Sequence, residues 1–158
     1  MILLSIDPGS RTGWAVFEDG RLSGCGMWTL ESKRIEEECR ELFEKSRRFS
    51  PDRVVAELPR IYPMRRSKGD PNDLIPLACL AAAAALAGKT PGELVSPHAW
   101  KGTIPKPSRG RWREYIVHKR ILETLYEEER QVYVAQAPRG GLDMIDAVGL
   151  GLWNLRRP

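Results

Sequence analysis

Residues Ile2 to Ile6 form a short, nearly continuous apolar run that stops at Asp7-Pro8-Gly9-Ser10. A run of this length closed by a turn sequence suits a strand buried on both faces, which places Asp7 at a strand end. The pattern recurs at Arg53-Val54-Val55-Ala56-Glu57, another short apolar segment ending in a carboxylate. Strands with no polar face need cover on both sides, so helices are expected above and below the sheet.

The remaining pattern supplies those helices. Gly13 to Glu18 and Arg21 to Trp28 are strand candidates joined at Asp19-Gly20, a dipeptide favoured in two-residue hairpin loops. From Glu31 to Arg48, six acidic and six basic side chains surround Ile35, Leu42 and Phe43, which predicts an exposed amphipathic helix. Asn72 or Asp73 is placed to cap a helix that runs through the alanine tract to Ala87, ahead of Gly88. Glu93 to Ser96 reads as the last strand, and Trp100 to Gly110, with two prolines and two glycines, as a loop. Helices are expected from Arg111 to Glu129 and from Asp143 to Leu155, the latter after Gly140-Gly141. The order βββαβαβαα fits an α/β fold with a mixed five-stranded sheet flanked by helices, spanning residues 1–158 as one domain.

A chain of 158 residues should bury roughly 70% of its unfolded surface, so a core forms without staples. Cys25, Cys39 and Cys79 are odd in number and widely spaced, and only His98 and His118 supply imidazole, which excludes zinc-binding and disulfide-rich secreted classes. Asp7 comes too early for a signal peptide, which points to a cytoplasmic protein. The longest apolar stretch, Leu77 to Gly88, falls short of the roughly 20 residues of a membrane span and is expected to be a buried helix. No membrane partner is expected. A pI near 9.1, with eighteen arginines against seven lysines, favours a phosphate-rich partner.

Four acids stand where acids are unwelcome. Asp7 and Glu57 end apolar strands, and Asp143 and Asp146 share one face of an otherwise apolar helix. Like charges so placed need a cationic partner, and hard divalent ions that prefer oxygen are the natural candidates. Magnesium, as a pair of ions with manganese as substitute, would activate water and stabilise a leaving oxygen, the chemistry of phosphodiester hydrolysis. Plainer roles exist for each acid: a turn former for Asp7, a surface salt bridge for Glu57, a helix cap for Asp143, and a pairing with Arg139 for Asp146.

Ile6-Asp7-Pro8-Gly9-Ser10-Arg11-Thr12-Gly13-Trp14-Ala15-Val16 resembles the first motif of the RuvC family of Holliday junction resolvases, within the RNase H-like superfamily. Val54-Val55-Ala56-Glu57 resembles the family's second acidic strand, and Asp143-Met144-Ile145-Asp146-Ala147-Val148-Gly149-Leu150 its C-terminal helix. The resemblance covers nearly the whole chain. It implies an RNase H-like fold and a homodimeric, magnesium-dependent endonuclease that cuts four-way DNA junctions with paired symmetric nicks. By carry-over, Asp7, Glu57, Asp143 and Asp146 are the metal-binding catalytic acids, and the alanine-rich helix from Leu74 to Leu86 lies at the dimer interface.

The family also carries a lysine near the end of the fifth strand, which Ser96-Pro97-His98-Ala99-Trp100-Lys101 matches, making Lys101 a catalytic basic residue. A second basic position, usually lysine, opens the following helix; here Arg111 and Arg113 align, with Lys106 as a possible replacement. Basic residues flank the proposed site: Arg60, Arg65, Arg66 and Lys68 on one side, and Lys101, Lys106, Arg109, Arg111 and Arg113 on the other. Tyr62 falls where relatives present an aromatic that stacks on an unpaired base. His118 and His98 are expected to be structural. Related branched-DNA or YqgF-like RNA-processing nucleases share this fold and are the alternative. An actin-like ATPase needs two lobes and is excluded by length, and a non-catalytic binding module is disfavoured by four intact acids.

Overall fold

The computed structural model describes residues 1–60, 70–108 and 111–157. A five-stranded sheet has the order β3-β2-β1-β4-β5, formed by β1 (Ile2–Asp7), β2 (Arg11–Glu18), β3 (Arg21–Thr29), β4 (Arg53–Glu57) and β5 (Glu93–Val95). The first three strands are an antiparallel meander, while β1, β4 and β5 run parallel. Asp19 and Gly20 both take positive φ, 49° and 79°, the conformation a tight hairpin turn needs. The helices are α1 (Ile35–Arg47), α2 (Leu74–Ala85), α3 (Pro97–Lys101), α4 (Ile116–Thr124) and α5 (Glu127–Asn154). Among the described residues, no helix is long and apolar enough to cross a membrane.

Strand alternation sorts the core into two layers. Leu4, Ile6, Val16, Val54 and Ala56 pack with Leu42 of α1 and Leu80, Ala81 and Ala84 of α2. On the other face, Leu3, Ala15, Phe17 and Val55 pack with Val117 and Ile121 of α4 and Met144, Ile145 and Val148 of α5. Leu3, Leu4 and Ile6 are thus all buried, as an apolar central strand requires. Burying each such side chain contributes about 1.5–3 kcal/mol.

Three expectations change. The helix predicted over Arg111 to Glu129 is split: Trp112–Glu114 form a 3₁₀ turn, Tyr115 is extended, and the chain breaks again at Leu125-Tyr126. The break is specified by Glu129, whose carboxylate accepts the Tyr126 N–H at 2.8 Å and restarts the chain as α5. A helix that starts at Glu127 precedes the expected closing helix, and α5 joins the two end to end. Pro138 lies within the first of them, and the join is Gly141, whose non-helical φ of 60° and ψ of −156° suit a residue without Cβ. Within the expected loop after Ser96, residues Trp100 and Lys101 belong to short α3, with Pro97 at its first turn. Finally, α2 is not fully buried. Leu80, Ala81, Ala84 and Ala85 face the sheet, whereas Ile75, Cys79, Ala82 and Leu86 form an exposed face.

Candidate metal centre

Asp7 and Glu57 meet because their strands are parallel neighbours in register. Ile6 lies opposite Ala56, so the next residue of each strand emerges at the same sheet edge. The third acid arrives on α5, which crosses β2 so closely that a Cβ on Gly13 would stand 2.0 Å from the Asp143 carbonyl oxygen. Gly13 pairs with Asp7 in the sheet, so the bare backbone at Gly13 lets α5 settle beside Asp7. Ser5 completes the docking by donating its hydroxyl hydrogen bond to the Ala147 carbonyl at 2.7 Å.

The result is a buried cluster. Asp7, Glu57 and Asp146 are 8%, 9% and 0% exposed, and each offers a carboxylate oxygen within 4.8 Å of the others. Asp143 stands apart, with a side chain 37% exposed, and among the described residues it joins the cluster through Lys106 at 3.5 Å. Of the four expected acids, three converge and one lines the rim.

Two lysines face them. Lys101 Nζ lies 2.7 Å from Asp146 Oδ2 and 3.1 Å from Glu57 Oε2. Lys106 Nζ lies 2.9 Å from Asp146 Oδ2 and 3.6 Å from Asp7 Oδ2. Neutral donors add to this: Trp100 Nε1 donates to Glu57 Oε2 at 2.8 Å, and the buried Tyr115 hydroxyl to Asp146 Oδ1 at 2.7 Å. Asp146 thus pairs with Lys101, Lys106 and Tyr115 rather than with Arg139, and Glu57 makes a buried rather than a surface salt bridge.

Burial pushes the Asp7 carboxyl well above its ordinary range; Lys106 pulls it back, and Glu57 and Asp146 push it further up. Burial pulls the Lys101 ammonium down, but Asp146 and Glu57 outweigh it and the net shift is upward. The Tyr115 hydroxyl is held up by burial and by the Asp146 charge, so it stays a neutral donor. Three converging carboxylates outnumber the two ammonium groups, and every ligand atom is a hard oxygen. The donor set fits magnesium or manganese, which would have to displace ammonium contacts on entering.

The other expected residues are less central. Arg60 is exposed just beyond β4. Arg111 is bound to Glu114 at 2.7 Å, and Arg113 lies over the Trp112 ring at 4.9 Å. The second basic group at the acids is therefore Lys106, not either arginine of the aligned position. Tyr62, Arg65, Arg66, Lys68 and Arg109 lie outside the described residues. His118 is buried and shares a 2.7 Å hydrogen bond with the Tyr133 hydroxyl, while His98 is exposed on α3. Trp100 and Tyr115 escaped sequence reasoning because nothing local marks an aromatic as the partner of a distant carboxylate.

No protein-family model matches the chain, and no curated protein does. Solved structures do. Thermus thermophilus RuvC in complex with a Holliday junction substrate matches at 19% identity with a TM-score of 0.64, over 96% of this chain and 90% of that one. A second T. thermophilus RuvC structure matches at 19% identity and a TM-score of 0.56, over 96% of this chain and 92% of that one. The yeast mitochondrial Holliday junction resolvase Ydc2 matches at 15% identity and a TM-score of 0.60, over 98% of this chain and 78% of its own. Over nearly its whole length, the chain has the RNase H-like fold seen in the RuvC and Ydc2 resolvases.

Proposed function

We propose that the chain is a structure-selective endonuclease that hydrolyses phosphodiester bonds at four-way DNA junctions with the help of divalent cations. The observation that carries this reading is the convergence of Asp7, Glu57 and Asp146 at one sheet edge of a resolvase-type backbone. A similar structure is described as a complex with a Holliday junction substrate, which favours a branched-DNA substrate here.

In this reading Asp7, Glu57 and Asp146 hold magnesium, two ions when the site is filled, and Asp143 completes the set from the rim. The bound metal supplies charge stabilisation and an activated water. The chain's own contribution is to fix three carboxylates that repel one another and to present cations to the substrate. Lys101 and Lys106 are within reach of the acids and serve an incoming phosphate and the developing negative charge. Arg60, Arg111 and Arg113, with Arg65, Arg66, Lys68 and Arg109, supply the wider phosphate-binding surface, and Tyr62 stacks on an unpaired base.

Paired nicks on opposite strands need two such centres, so the active form is a homodimer. The exposed face of α2 suits that role: Ile75 is 59% and Leu86 72% exposed, with Cys79 and the small Ala82 between them.

The test is a cleavage panel of four-way junction, flap, replication fork, linear duplex and structured RNA, with magnesium or manganese. The junction is expected to be cut, and Asp7→Asn to bind it without cutting. Wild-type protein that binds junctions yet leaves them intact with either metal would sink the proposal; preferential cutting of RNA would redirect it to RNA processing.

A further inference from the structure

The lysines at the acidic centre are long, flexible and charged, and they must yield oxygens to a cation. The two aromatic donors are different. Tyr115 is 1% exposed and packs in the core layer with Val117, Ile121, Met144 and Ile145, so its hydroxyl is anchored on Asp146 Oδ1 by the core itself. Both lysines reach the other oxygen, Oδ2, which is therefore the one turned toward the centre. Trp100 bridges two elements. Its indole N–H reaches Glu57 on β4, while its ring edge lies against α5, where a Cβ on Gly149 would come within 2.8 Å of it. Gly149 is close to one helical turn beyond Asp146. One rigid ring therefore spans from one acid to the helix that carries another.

We propose that Trp100 and Tyr115 are positioning residues of the cation centre. Tyr115 occupies one oxygen of Asp146 and so presents the other to the cation. Trp100 sets how far Glu57 stands from α5. Being neutral donors, neither competes with the cation for the carboxylate charge, and each fixes an orientation as outer partners of metal ligands do. The inference rests on reading Asp7, Glu57 and Asp146 as a cation site.

The experiment titrates Mn²⁺ into protein without DNA, read by electron paramagnetic resonance, for wild type, Tyr115→Phe, Trp100→Phe and the core control Ile121→Val. Tyr115→Phe keeps the ring and loses only the hydroxyl; it is expected to bind Mn²⁺ about tenfold more weakly, with Trp100→Phe shifted in the same direction. Ile121→Val lowers the melting temperature but leaves Mn²⁺ affinity unchanged. Half-maximal junction cleavage then needs correspondingly more Mn²⁺ in both aromatic variants, and saturating metal restores the rate, which it would not do for a purely structural defect. Should Tyr115→Phe fail to fold, Trp100→Phe decides alone. Wild-type affinity in the folded aromatic variants, or an equal loss in Ile121→Val, overturns the positioning role alone. Failure of wild type to bind Mn²⁺ overturns the cation centre and this role with it.

Discussion

The Ser5 hydroxyl donates to the Ala147 carbonyl at 2.7 Å, a buried bond between residues 142 positions apart in the chain. Ser5 lies two residues before Asp7 and Ala147 one after Asp146, so this bond ties the strand that carries one acid to the helix that carries another. Replacing Ser5 with alanine removes the donor and leaves the docked carbonyl with its helical partner only. Ser5→Ala should lower unfolding free energy by about 1–3 kcal/mol in urea and weaken Mn²⁺ binding. Unchanged Mn²⁺ affinity would mean that the packing of α5 on β2 aligns the acids without this bond.

Lys106 sits among the acids on a half-exposed side chain, where an entering cation must displace it. Lys106→Met is therefore expected to bind Mg²⁺ more tightly, by roughly 3–10-fold, in isothermal titration, because a competing charge is gone. The same variant should cut junctions more slowly at saturating magnesium if Lys106 serves the incoming phosphate as proposed. Weaker Mg²⁺ binding would show that the lysine organises the acids rather than competing with the metal.

Far from this centre, Glu129 accepts hydrogen bonds from Arg157 at 2.6 and 2.7 Å, from the Leu22 N–H at 2.7 Å and from the Tyr126 N–H at 2.8 Å. Burial pushes its carboxyl up, but the Arg157 and backbone hydrogen bonds outweigh burial and leave it below its ordinary value. A depressed carboxyl stabilises the fold above its unfolded pKa, near ~4.3, and that stability is lost as pH falls through the lower folded value. Arg157→Met leaves burial unopposed by the guanidinium. It should cost about 3–5 kcal/mol at neutral pH, and the loss should shrink on acidification as Glu129 takes up a proton. Urea melts of both proteins at several pH values between neutrality and acid check the sign.

The exposed face of α2 makes its own prediction. Placing a charge in its apolar stripe, as in Leu86→Glu or Ile75→Glu, should shift the protein from dimer to monomer in sedimentation velocity. The monomer should keep its melting transition because these side chains contribute little to the core. Junctions should then be nicked on one strand rather than resolved. A wild type that sediments as a monomer at every concentration would remove the dimer from the mechanism.

Much of the scaffold can be read locally. An apolar run ending in a carboxylate marks both central strands because a buried strand has no polar face to alternate with, so Asp7 and Glu57 stand out without any knowledge of the fold. Asp143 and Asp146 are visible for the same reason, as acids spaced three apart on an apolar helix. The helix boundaries after Gly110 are not legible in this way. The start of α5 at Glu127 depends on the Glu129 carboxylate accepting the Tyr126 N–H, whereas the break read at Gly140-Gly141 is present, Gly141 being non-helical.

Which acids converge, and what holds them, is a matter of distance through space. Asp146 is buried and Asp143 is at the rim because α5 crosses β2 at Gly13 in one particular orientation, and no residue pattern within the helix encodes that crossing. Lys106 belongs to the centre, and the arginines of the aligned position do not, because the chain after α3 folds back over the sheet edge. Trp100 and Tyr115 acquire their carboxylate partners in the same way. Hydrophobic periodicity is a short-range code for strands and helices, and it carries the acids to the right element ends. The geometry of the centre comes from close packing between segments separated by 31 residues or more, down to the missing side chain at Gly13.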